Sequence, residues 1–76
     1  MSTISRFSRE KLRRARLSAG LSQRQLAYCL DVSSSSVLRW EQGTCSPIAD
    51  RLPQIAEILG IEIKDLFEEA SDEVQD

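Results

Sequence analysis

Apolar residues recur at helical spacing through most of the chain, and each run is bounded by residues that start or stop helices. Ser8 precedes a stretch in which Leu12, Ala15 and Ala19 share a face and Gly20 offers a C-terminal stop, predicting a helix over 9–19. Ser22 and Gln25 have the spacing of a capping box ahead of Leu26, Ala27 and Leu30, predicting a second helix over 23–30. Asp31 and Val32 form a corner, Asp31 being a residue type that tolerates the left-handed conformation. Ser33 is a natural N-cap for a third helix over 34–42, carrying Val37 and Trp40 and ending at Gly43. After the loop TCSP, Ile55, Ala56, Ile58 and Leu59 predict a helix over 51–59, with Pro53 acceptable only in its first turn. Ile63, Leu66 and Phe67 predict a last helix over 62–69, followed by an acidic tail at 70–76. The expected fold is all-α: five short helices in one compact domain over 1–69.

The third helix contains the run Ser33 to Ser36, and serine runs are usually solvated linkers. Its context argues otherwise, because a tight corner precedes it and a buried stripe runs through it. Placing residues every 100° puts Val37 and Trp40 on one side, flanked by Ser33 and Glu41, with Ser34, Ser35, Leu38, Arg39 and Gln42 opposite. Short hydroxyl side chains let a helix approach another surface closely. In a DNA major groove, about 12 Å wide, Ser can serve donor or acceptor edges, Arg guanine, Gln adenine and an apolar group a thymine methyl. The bland alternative is that Ser34 and Ser35 are solvated first-turn residues. Two short helices joined by a corner of about three residues are, however, the helix-turn-helix arrangement, whose second helix reads bases.

Charge changes the picture more than composition does. The 76 residues carry a net charge of −2, a weak argument against a nucleic-acid partner. That average hides a division: residues 1–51 hold nine Lys and Arg against four Asp and Glu, and residues 52–76 hold one against eight. The serine run lies in the basic half. No apolar run approaches the roughly 20 residues of a membrane span, and the N-terminus lacks the apolar core of a signal peptide, so a cytoplasmic location is expected. Cys29 and Cys45 are far apart and the chain has no histidine. Two reduced, partly buried thiols are therefore expected rather than a disulfide, a zinc site or a Cys-His nucleophile. There is no Gly-rich phosphate loop and no carboxylate set with a base, so neither an enzyme nor a cofactor is expected.

With these features in place, the segment LRRARLSAGLSQRQLAYCLDVSSSSVLRWEQG resembles the Cro/cI-type helix-turn-helix family, also called the XRE family, which includes small phage repressors. The similarity continues through PIADRLPQIAEILGIEIKDLF, covering about residues 9–67. It implies a lambda-repressor-like five-helix domain that binds double-stranded DNA as a homodimer and regulates transcription. By position it implies base contacts from Ser34, Ser35 and Arg39, with Leu38 and Gln42 as additional candidates, and phosphate contacts from Gln23, Arg24, Ser36 and Thr44. A helix N-terminus favours an anion near Gln23 in any case.

Arg16 lies on the apolar stripe of the first helix, where an unpaired charge is costly, and Glu41 is the expected partner. The alternative is that Arg16 snorkels to solvent. The sequence departs from the family pattern in having Asp31 for the glycine common at the corner. It also lacks a cation between Gly43 and Arg51, which throws phosphate anchoring onto the region RFSREKLRR. The acidic C-terminal segment is too short for a ligand-binding or separate oligomerisation domain. Dimerisation is expected through residues 44–51 and the last helix, using Ile48, Leu52, Leu66 and Phe67. A competing reading keeps the fold but makes it a protein-interaction module of antitoxin or antirepressor type, docking a partner through the acidic C-terminal segment.

Overall fold

Serine side chains start the first three helices. The computed structural model describes residues 3–71. Its first helix, α1, spans Arg9–Ser18, and the Ser8 hydroxyl accepts a hydrogen bond from the Lys11 N–H. In α2, Gln23–Leu30, Ser22 and Gln25 form a reciprocal capping box, at 3.0 and 2.8 Å. In α3, Ser34–Gln42, the Ser33 hydroxyl accepts from the Ser36 N–H. Each cap pairs one of the amide groups that a helix start otherwise leaves orphaned. Gly43, at φ 82°, supplies the left-handed residue that turns the chain out of α3. Asp31 does the same after α2 at φ 59°, a conformation costly for most side chains but accessible to aspartate.

A 3-10 turn at Ala49–Arg51 leads into α4, Leu52–Leu59, so Pro53 falls where no intrahelical N–H is needed. The apolar faces of α1 to α4 converge on one core built from Leu12, Leu26, Leu30, Val37, Trp40, Ile55 and Leu59. No helix among the described residues is long and apolar enough to cross a membrane.

The expected fifth helix is not formed. Residues Ile63–Leu66 make a single 3-10 turn, and the chain then extends into a strand, β2, Phe67–Ser71. It pairs antiparallel with an N-terminal strand, β1, Thr3–Phe7, in the register Phe7 opposite Phe67 and Ser5 opposite Glu69. Among the described residues the fold is thus four α-helices with a two-stranded sheet rather than five helices. Four contacts explain why the strand prevails over the helical spacing of Ile63, Leu66 and Phe67. Leu66 is drawn fully into the core. Phe67 meets Phe7 edge-to-face at 6.5 Å, a favoured aromatic geometry. The Ser8 N–H donates to the Leu66 carbonyl at 2.8 Å, while Lys11 Nζ caps the Phe67 carbonyl.

Two further expectations change with this geometry. Leu66, expected on a dimer surface, is 0% exposed and belongs to the protomer's own core. Leu52 and Phe67 pack against that core, so of the four residues only Ile48 is largely free, at 67% exposed. Cys29 and Cys45 are free thiols, but both are exposed rather than partly buried. Of the acidic tail expected over 70–76, Ala70 and Ser71 contribute backbone to β2 and the remainder lies outside the described residues.

Candidate nucleic-acid interface

α2 and α3 are set against each other across the corner at Asp31 and Val32, and they are joined more firmly by one carboxylate. Arg16 Nε donates to Glu41 Oε2 at 2.6 Å and Arg16 Nη2 to Glu41 Oε1 at 3.0 Å, a bidentate pair. The two side chains are only 9% and 4% exposed. Arg16 Nη1 also donates to the Leu21 carbonyl at 2.8 Å, and Gln23 Nε2 donates to Glu41 Oε1 at 3.0 Å. Glu41 therefore ties α1, the start of α2 and the last turn of α3 together. No buried side-chain nitrogen or oxygen among the described residues lacks a hydrogen-bond partner. A paired, satisfied ion pair of this kind is costly to break from one side, since the survivor keeps its desolvation cost.

This network alters the picture of Gln23. One of its two amide hydrogens is committed to Glu41, and the other remains for an outside acceptor at the N-terminus of α2. Its amide is thereby aimed by a residue 18 positions away. Arg24, the next residue, is exposed.

α3 presents two unlike sides. Val37 and Trp40 are buried. Ser34, Ser35, Leu38, Arg39 and Gln42 are all exposed, and none of the polar side chains among them hydrogen-bonds to another described residue. Ser36 is half-buried, with its hydroxyl 3.1 Å from that of Ser33. Thr44 is exposed, and its N–H closes the end of α3 by donating to the Arg39 carbonyl at 3.0 Å. The structure thus gathers Ser34, Ser35, Leu38, Arg39 and Gln42 on one open strip. Gln23 belongs to the junction beside it.

Two cations have roles that spacing could not reveal. Arg51 Nη1 donates to the Leu30 carbonyl at 2.7 Å and to Gln54 Oε1 at 3.1 Å, closing the C-terminus of α2. Arg9, at the start of α1, donates to the Gln42 carbonyl at 2.9 Å and so reaches the C-terminus of α3. Helix C-termini favour cations, which is the only sequence signal for either contact, and it does not say which cation comes.

The chain matches the family model for a helix-turn-helix domain over residues 9–70. A protein of Aeropyrum pernix, provisionally named an HTH-type transcriptional regulatory protein, is 45% identical over 57 residues. That stretch is 75% of this chain and 17% of the relative, so the chain spans less than a fifth of its length. The crystal structure of the restriction-modification controller protein C.AhdI from Aeromonas hydrophila is similar with a TM-score of 0.72. It is 32% identical, and the likeness covers 78% of this chain and 89% of that one. The corner at Asp31, the open strip on α3 and these likenesses all agree, and the chain belongs to the helix-turn-helix domain family, Cro/cI type.

Proposed function

We propose that this protein is a sequence-specific DNA-binding transcriptional regulator that lays α3 in the major groove. The observation that carries the reading is the two-sided character of α3. A helix anchored by Val37, Trp40 and Glu41 holds out a strip of small hydroxyls, one arginine and one amide whose polar groups make no side-chain hydrogen bond to the described residues. Small side chains permit close approach, and Ser, Arg and Gln together cover the donor and acceptor patterns of base edges. Ser34, Ser35 and Arg39 are the base-reading residues, with Leu38 and Gln42 extending the strip. Gln23, Arg24, Ser36 and Thr44 contact phosphates on either side. The names of the relatives, a transcriptional regulatory protein and a restriction-modification controller protein, support the same class.

The protein acts as a homodimer, with the exposed Ile48 on the loop after α3 at the twofold contact. Two copies then address half-sites about 10 bp apart. Titration against random duplex DNA at low salt tests the reading, because a DNA-binding protein keeps non-specific affinity whatever its operator. Measurable affinity that falls steeply with salt is expected. No affinity at 50 mM salt would overturn the reading, and selection from a random duplex pool would then yield no enriched sequence.

A further inference from the structure

The loop after α3 has no cation through residue 50, and Arg51 is already engaged with the end of α2. Left alone, the C-terminus of α3 would turn the negative end of its dipole toward any phosphate beside it. The chain supplies a charge there from another helix. Arg9, 33 residues away in sequence, donates from Nη1 to the Gln42 carbonyl, one of the acceptors a helix end leaves without an intrahelical partner.

Gly43 makes room for this approach. A Cβ at that position would lie 3.0 Å from Arg9 Cδ and 3.5 Å from Arg9 Nε, so the arginine stem lies where any other residue's side chain would begin. The left-handed φ of Gly43 and the passage of Arg9 are thus met by the same residue. A guanidinium has five N–H donors. Among the described residues only the bond to Gln42 uses one of them, and Arg9 is exposed.

The surroundings narrow what these donors can do. The groove between β1 and the end of α3 is lined by Arg6 and Arg9 but also by Glu10 and Glu68. Arg6 is paired with Glu68 at 3.2 Å, so the groove as a whole is not an anion pocket. Arg9, unlike Arg6, is paired with no carboxylate among the described residues, and it lies beside Gln42 at the end of the open strip.

We infer that Arg9 is a DNA-phosphate contact, carried by α1 but presented at the C-terminal end of α3, where it replaces the cation that the following loop lacks. Because its guanidinium is fixed to the Gln42 carbonyl, the phosphate it holds is placed in register with the bases under Arg39 and Gln42. This inference rests on the DNA-binding reading above and adds to it one residue and one phosphodiester.

The test is the salt dependence of binding to random duplex DNA by the full chain, for wild type, Arg9→Gln, Arg9→Lys and Lys64→Gln, with thermal melts alongside. Lys64 is an exposed cation on the turn before β2 and serves as a control for net charge. Arg9→Gln should make the slope of log K against log salt shallower by about 0.9 and weaken binding roughly fivefold to tenfold near 0.1 M salt, on all sequences alike. Arg9→Lys should keep the slope, and Lys64→Gln should change neither quantity. An unchanged slope in Arg9→Gln, with wild type binding normally, overturns the inference while leaving the DNA-binding reading intact. So does a lower melting temperature and affinity at constant slope, which would make Arg9 a helix cap only, or an equal loss of slope in Lys64→Gln. Absence of wild-type affinity instead overturns the DNA-binding reading itself.

Discussion

The two sides of α3 are made from one nine-residue helix and have opposite physical situations. On the inner side Val37 and Trp40 are packed into the core, and the Glu41 carboxylate accepts from both Arg16 and Gln23. On the outer side Ser34, Ser35, Arg39 and Gln42 offer polar side chains to solvent. The inner side holds the orientation of the helix, and its groups have little freedom left. The outer side contributes little to folding and is therefore free to be specified by a ligand. Substitutions should separate accordingly: inner ones change stability without changing sequence preference, and outer ones do the reverse.

The largest effect is expected at the junction. Glu41→Ala leaves the Arg16 guanidinium without its buried partner and Gln23 without its acceptor, at a cost of about 3–5 kcal/mol. Against a total stability on the order of 5–15 kcal/mol, that would unfold a measurable part of the population in mild urea. A double-mutant cycle of Arg16→Met with Glu41→Ala should show strong coupling; a coupling energy near zero would erase the distinction between the two sides. Next in size is Arg39→Ala, which should lose roughly 1–3 kcal/mol of discrimination at one base pair while the melting temperature stays unchanged. A binding selection on random duplexes reads the first quantity and a thermal melt the second.

Ser33→Ala sharpens the comparison from the helix end. Its hydroxyl caps the Ser36 N–H, so about 1 kcal/mol of stability should be lost and binding to all sequences should weaken alike. The smallest effects on stability are expected from Ser34→Ala and Ser35→Ala, within about 0.5 kcal/mol, because alanine is the better helix former and neither hydroxyl has a hydrogen-bond partner among the described residues. Each should instead shift preference at one or two operator positions. Selection of the wild-type operator by the Ser34, Ser35 and Arg39 variants alike would reduce the outer side to an ordinary solvated face.

A second contrast, between the helical body and the terminal sheet, shows where local pattern loses its authority. α2 and α3 carry their own start signals in Ser22, Gln25 and Ser33 and their own stops in Asp31 and Gly43, all within a few residues. The segment after Gly60 also has helical spacing in Ile63, Leu66 and Phe67. It also has a start signal, since the Asp65 carboxylate accepts from the Glu62 N–H at 3.1 Å. What diverts it is the distant Phe7 and the Ser8 N–H, which offer an aromatic contact and a backbone partner to an extended chain. β1 and β2 are five residues each, pair residues 60 or more positions apart, and show no clean alternation of apolar and polar positions. A short strand of that kind has no sequence signature of its own.

The sequence by itself determined the caps and corner of the helix-turn-helix, the side of α3 that packs inward, and the composition of the strip left outside. These follow from interactions within about four residues, which periodicity and residue type encode directly. Tertiary structure decided that residues 67–71 form a strand, that Leu66 is core rather than surface, that Gln23 is steered by Glu41, and that Arg51 and Arg9 close the ends of α2 and α3. For the three polar contacts several chemically equivalent partners were open to the group, any cation for a helix end or any carboxylate for an amide. The choice among them depends on which elements approach within hydrogen-bond distance once the core has packed.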